Sequence, residues 1–175
     1  TLYDAGVDTD DDDRPRIYLV MELLGSDLKA RLLRGVLDHL QVCWLGWDLA
    51  AALDAVHQAG LLHRDVKPAN VLLSDRGTEA RPIAKLTDFG IAALAGTAEG
   101  IGSVTGSVAY LSPEQVRGEA LTPASDTYSL GLVLLEALTG AIAFPGSVDE
   151  SALARLDRAP VVPPTVPTEV ADILR

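Results

Sequence analysis

Cysteine is nearly absent from this chain: Cys43 stands alone among 175 residues, so no internal disulfide can form and a reducing compartment fits. It lies in an apolar helical stretch, which predicts a small core residue rather than a redox thiol. Long hydrophobic runs are missing too. Residues 40–56 are interrupted by Asp48 and residues 130–138 by Glu136, so neither supplies the roughly 20 apolar residues of a membrane span. Both read as buried helices. Basic residues are few. Lys and Arg number 14 against 25 Asp and Glu, a net charge of −11, which disfavours nucleic acid and anionic membrane as partners. Part of that charge is local, in Asp8 and the run Asp10, Asp11, Asp12, Asp13, read as a solvated loop between two strands. A docking site for basic peptide or metal is the sharper alternative. Two motifs are also lacking: no Gly-x-Gly-x-x-Gly loop and no Val-Ala-x-Lys strand occurs, and the first residue, Thr1, reads as part of a strand.

What is present is concentrated in one place. The stretch His63-Arg64-Asp65-Val66-Lys67-Pro68-Ala69-Asn70 puts a carboxylate, a lysine and an amide on one short loop, and Asp88-Phe89-Gly90 follows after a short hairpin. Phosphoryl transfer needs such a set: a carboxylate to orient the attacking hydroxyl, a cation at the transferring phosphate, and oxygen ligands for Mg²⁺. Five specified residues in eight arise by chance on the order of once in a million start sites. No His/Cys cluster suggests zinc.

With 48% apolar and 22% charged residues the chain fits one soluble globular domain. Residues 2–4 and 17–22 read as strands. The continuous β-prone run Ile17-Tyr18-Leu19-Val20-Met21 predicts a strand covered on both faces. Gly25-Ser26-Asp27 offers an N-cap for a short helix through Leu33. A long helix follows, with Val42, Leu45, Leu49, Ala52, Leu53 and Val56 at helical spacing and Gly60 as its stop. Residues 71–73 and 83–86 predict a β-hairpin across a turn-rich segment. Residues 92–107 are dominated by Gly, Ala, Ser and Thr, a composition that packs poorly and predicts mobility. Ser112-Pro113-Glu114-Gln115 combines an N-cap, a first-turn proline and a capping box. Thr122-Pro123 opens an almost wholly apolar helix ended by Gly140, suited to the centre of a helical body. Helices near 148–158 and from 166 complete the reading.

The loop at 63–70 and the turn at 88–90 resemble the catalytic loop and Asp-Phe-Gly turn of the eukaryotic-type (Hanks-type) serine/threonine protein kinases of bacteria. The resemblance implies an α+β fold: a mainly helical lower lobe with a small β-hairpin, and only the last two strands of an upper lobe. Residues 1–24 would be those strands and the hinge, residues 25–175 the lower lobe, and 88–114 the activation segment. It implies ATP and Mg²⁺ (with Mn²⁺ as a substitute) and protein substrates bearing Ser or Thr. Asp65 would be the catalytic base, Lys67 the phosphate-directed cation, and Asn70 and Asp88 the metal ligands. Met21 (the gatekeeper), Glu22 and Leu24 would form the adenine-binding hinge, with Leu72 beneath the ring. Arg64 would anchor a phosphorylated residue among Thr97, Ser103 and Thr105. Ser107 would bridge Asp65 and Lys67, standing where the family usually has Thr. His63 is expected to pack on Phe89 near Asp126, His57 to be a core residue and His39 a surface one.

The same resemblance implies that the chain is a fragment, inactive by itself, from a parent that is cytoplasmic or carries a membrane anchor, with a kinase homodimer compatible. Glu114 would then lack its usual arginine and lie unpaired in the interior, predicting marginal stability. Two alternatives stand beside this reading. One is a truncated, non-catalytic binding module. The other is a small-molecule phosphotransferase of related fold, which lacks the Lys67-Pro68 and Ser-Pro-Glu patterns.

Overall fold

The computed structural model describes residues 2–9, 14–74, 81–88 and 108–174. The expectations placed on Phe89, Thr97, Ser103, Thr105 and Ser107, the mobility of 92–107 and the run Asp10 to Asp13 all fall outside those residues.

The body is helical. Asp27 accepts from the Ala30 N–H at 2.6 Å and so caps α1 (Leu28–Leu32). Asp38 and Gln41 form a reciprocal capping box at the start of α2 (His39–Gln58). Gly60 (φ 74) then takes the left-handed backbone that lets the chain turn away after α2. Along α2 the buried residues are Val42, Leu45, Leu49 and Leu53, one stripe at steps of three and four. Cys43 is exposed, which corrects the core expectation. One residue on from Val42 is a turn of about 100° around the helix, and that takes the thiol off the stripe.

Helix α2 packs on α4 (Pro123–Thr139), whose buried residues include Asp126, Leu130, Leu132, Val133 and Leu135. That helix forms the centre of the body, as its apolar sequence predicts. Before it, α3 (Pro113–Arg117) begins at Ser112, which exchanges hydrogen bonds with Gln115 in the predicted capping box. Helices α5 (Val148–Asp157) and α6 (Thr168–Leu174) complete the described chain. Arg155 of α5 is buried, donates to the carbonyls of Ser151 and Leu111, and lies with Arg158 against the Phe144 ring.

Two small sheets sit outside this body. Strands β1 (Leu2–Thr9) and β2 (Pro15–Met21) form an antiparallel ribbon, with Gly6 opposite Tyr18. Strands β3 (Ser26–Asp27), β4 (Val71–Ser74) and β5 (Ile83–Leu86) form an antiparallel sheet with β4 in the middle. The β4–β5 pair is the predicted hairpin. The short β3 was not legible, since two residues carry no periodicity. Strand β2 is exposed along its whole length, and Ile17 keeps 81% of its surface in solvent. The expectation of a doubly covered strand therefore fails for the described residues. Its hydrogen-bonded neighbour is β1, and hydrogen bonds along a strand edge cover neither face.

Candidate active site

The loop between α2 and β4 is fixed by one buried carboxylate. Asp126, in the first turn of α4, is 2% exposed. It accepts from the backbone N–H of His63 at 2.9 Å and of Arg64 at 2.8 Å, and its Oδ2 lies 2.8 Å from His57 Nε2. Two consecutive backbone donors on one carboxylate hold the peptide rigidly. Arg64 can therefore keep a left-handed backbone (φ 67) that costs a non-glycine residue about 1–2 kcal/mol. The other non-glycine residue with this conformation among the described ones is Asp88 (φ 55). Both strained positions lie in the two motifs that sequence reading singled out.

Past the strained peptide, the side chains converge. Lys67 Nζ lies 2.7 Å from Asp65 Oδ2, and Asn70 Nδ2 donates to that oxygen and to the Asp65 carbonyl, each at 2.9 Å. No partner among the described residues takes Asp65 Oδ1. Asn70 is buried, and with its Nδ2 committed, Oδ1 is the atom it has to offer a cation. Its backbone carbonyl accepts from the Thr87 N–H at 2.9 Å, which brings the end of β5, and hence Asp88, beside the loop.

His63 is the floor of this arrangement. Its imidazole is wholly buried, Nε2 donates to the Thr87 carbonyl at 3.0 Å, and Nδ1 accepts from the Asp65 N–H. Burial lowers its pKa, outweighing the Thr87 carbonyl and the carboxylates of Asp126, Asp65 and Asp88, which all act in the opposite sense. The ring is therefore neutral and structural, in line with the packing role expected of it. The carboxylates of Asp126, Asp65 and Asp88 thus all act on the same imidazole.

The hinge residues are less enclosed. Met21 is exposed at the end of β2, and Glu22 and Leu24 are half-buried. Glu22 Oε2 meets Lys85 Nζ of β5 at 2.6 Å. Leu72 sits on β4 directly opposite Lys85. Arg64 has an exposed side chain, and its carbonyl accepts from Gln115 Nε2 of α3 at 2.8 Å.

Sequence reading missed several of these partners. His57, expected as a core residue, is a hydrogen-bond partner of Asp126. The signal was present in its position on the last turn of α2, but pairing across 69 residues leaves no local trace. Glu114 corrects a sharper expectation. It is half-buried rather than interior, and it accepts from the Ser125 hydroxyl. Burial alone would raise its pKa. The hydrogen bonds from Ser125, its own backbone N–H and Ser112, with the nearby Arg117, instead hold it below the usual carboxylate value. The orphaned carboxylate expected to weaken the fold is not seen.

The described residues contain no group of three or more His, Cys, Asp or Glu side chains close enough to cage a metal. Asn70 and Asp88, on backbone joined by the Thr87–Asn70 hydrogen bond, are oxygen donors of the kind that would suit a magnesium-like ion. No described helix is long and apolar enough to cross a membrane.

Comparison with known proteins identifies the family of the chain. The protein kinase domain family model matches residues 5–170. The serine/threonine-protein kinase PknK of Mycobacterium tuberculosis is 43% identical over 146 residues, covering 82% of this chain and 13% of that protein. PknL of the same species is 41% identical over 166 residues, 90% of this chain and 40% of that protein. The serine/threonine-protein kinase drp72 of Corynebacterium efficiens is 37% identical over 176 aligned positions, 98% of this chain and 32% of that protein. The chain thus spans less than half the length of each of these relatives.

Proposed function

Since the chain belongs to the protein kinase domain family, we propose that the protein moves the γ-phosphoryl group of ATP to Ser or Thr hydroxyls of other proteins. The observation that carries this reading is the shared oxygen of Asp65. With Oδ2 held by Lys67 and Asn70, Oδ1 remains to accept a hydrogen bond from a substrate hydroxyl. As that hydroxyl oxygen bonds to the γ-phosphorus, the bond to the β–γ bridging oxygen breaks, ADP leaves, and the proton passes to Asp65. The ammonium of Lys67, paired with Asp65, would offset the charge gathering on the transferred group. Asn70 and Asp88 would hold Mg²⁺ or Mn²⁺, which supplies charge neutralisation between the β- and γ-phosphates.

In this reading residues 1–24 are the strands and hinge, 25–175 the lower lobe, and 88–114 the activation segment. The backbone from Met21 to Leu24 receives adenine, Leu72 lies under the ring, and Arg64 receives a phosphate carried on Thr97, Ser103 or Thr105, with Ser107 beside the base. The protein works in the cytoplasm, on substrates defined by a Ser or Thr hydroxyl.

A second reading, a non-catalytic binding module, concerns a polypeptide of residues 1–175 alone. Residues 1–175 include no glycine-rich loop to cover the phosphates and no strand lysine to position them. A polypeptide of these residues alone is expected to bind nucleotide weakly and to turn over negligibly. Phosphoryl transfer from labelled ATP by the full-length protein, against its Asp65→Asn variant, tests the first reading. The variant is expected to lose about 10²–10⁴-fold in kcat. Equal rates for both proteins would refute it, and robust transfer by the 175 residues alone would remove the second.

A further inference from the structure

Strand β5 ends at the residue before Thr87 and Asp88, so whatever holds β5 sets where Asp88 lies. Two charges hold it, from opposite directions. On the helical side, Asp48 of α2 accepts from the Ala84 N–H at 3.1 Å while Arg81 binds both of its oxygens at 2.8 and 3.0 Å. On the other side, the next residue, Lys85, reaches out of the sheet to Glu22. Glu22 directly follows β2, so this ion pair joins the hinge to the strand that leads to Asp88.

The register makes the pair more specific. Leu72 and Lys85 are directly opposed on β4 and β5, and opposed residues of an antiparallel pair project to the same face. The stem of Lys85 therefore runs beside Leu72, and its ammonium ends on the hinge. Lys85 keeps 31% of its side-chain surface in solvent and Glu22 23%. A pair this well shielded resists screening by salt better than an exposed one.

Resting on the reading of residues 21–24 as the base-binding hinge, we propose that Glu22 and Lys85 form a positioning pair that fixes the hinge backbone against the Leu72 floor. The pair makes nucleotide affinity depend on the same strand that aims Asp88. Neither side chain touches the reacting atoms. Loss of the pair lets the hinge and the hairpin separate, which weakens capture of the base and leaves the chemical step at Asp65 intact.

The test uses the full-length protein with two readouts, equilibrium ADP binding and steady-state kinetics in ATP. Lys85→Met and Glu22→Gln are each expected to raise the ADP Kd and the ATP KM by about three- to tenfold, and Lys85→Met to keep kcat within about twofold of wild type. Lys85→Arg keeps the charge and is expected to restore both constants. The exchanged double variant, Glu22→Lys with Lys85→Glu, is expected to bind more tightly than either single reversal. Unchanged Kd in the two neutral variants would overturn the proposal, as would an equal fall in kcat, or a double variant no better than the singles. Because ADP binding is read without turnover, a protein that binds nucleotide yet transfers no phosphate would refute the kinase reading and leave the pair standing or falling on its own numbers.

Discussion

The β1–β2 ribbon and the β4–β5 hairpin are built from similar sequence and have opposite fates. Ile17-Tyr18-Leu19-Val20-Met21 and Val71-Leu72-Leu73 are both unbroken apolar runs. Yet Ile17 is 81% exposed, whereas Val71 has no solvent contact. Strand propensity is the same in both. What differs is cover: the hairpin lies on α2, is joined to it through Asp48 and Arg81, and carries the Asn70–Thr87 bond at its base. The ribbon's strands pair with each other and leave almost all their side chains exposed. An apolar run thus predicts a strand, and only its neighbours decide whether that strand is core.

The strongest way to break the comparison is to remove what anchors the hairpin's side of the molecule. Asp126→Ala would strand two backbone N–H groups and His57 in the interior. It is expected to cost about 3–5 kcal/mol in urea unfolding. A loss below about 1 kcal/mol would mean that the loop is held by something else.

A truncation pair sharpens the contrast itself. Val71→Ala should cost about 2 kcal/mol through lost burial and the cavity it leaves, while Ile17→Ala should stay within about 0.5 kcal/mol. Equal losses would show that the ribbon is covered in solution. Arg81→Ala comes next. It leaves Asp48 with the Ala84 N–H alone and removes the guanidinium from beside Trp44, for an expected 1–2 kcal/mol, roughly. Faster amide hydrogen exchange should then appear in residues 83–86 and be absent in residues 17–21.

The smallest effects are those of pH. His63 has a folded pKa below 6.5, so below about pH 6.5 the unfolded chain binds the extra proton and stability falls as acid is added. Tyr110, buried and donating to Glu136 at 2.6 Å, has its pKa raised, first by burial and then by that carboxylate. The unfolded chain therefore loses its proton first, and stability falls as pH rises past about 10. Each contributes a slope of at most about 1.4 kcal/mol per pH unit. A Tyr110→Phe variant with an unchanged alkaline limb would remove the second assignment.

The helices were legible because their signals are local. The Ser112–Gln115 capping box, the stripe from Val42 to Leu53 and the stop at Gly140 all lie within a few residues of one another in sequence. The candidate site was legible because its motif is compact, with Asp65, Lys67 and Asn70 inside six residues. What stayed hidden spans the chain: His57 to Asp126, Arg81 to Asp48, Glu22 to Lys85. These pairs are 69, 33 and 63 residues apart, and no period or propensity links such partners. Cys43 and Glu114 failed for a related reason, since one step around a helix or one serine from a neighbouring helix decides their surroundings.

The central claim is that the loop at 65–70 and the end of β5 together form one divalent-cation and nucleotide site. It is tested most directly by the Mg²⁺ dependence of ADP binding to the full-length protein, compared with Asn70→Ala and Asp88→Ala. The account predicts that Mg²⁺ tightens binding to the wild type and that either substitution abolishes most of that gain. Full Mg²⁺ enhancement in both variants would contradict it.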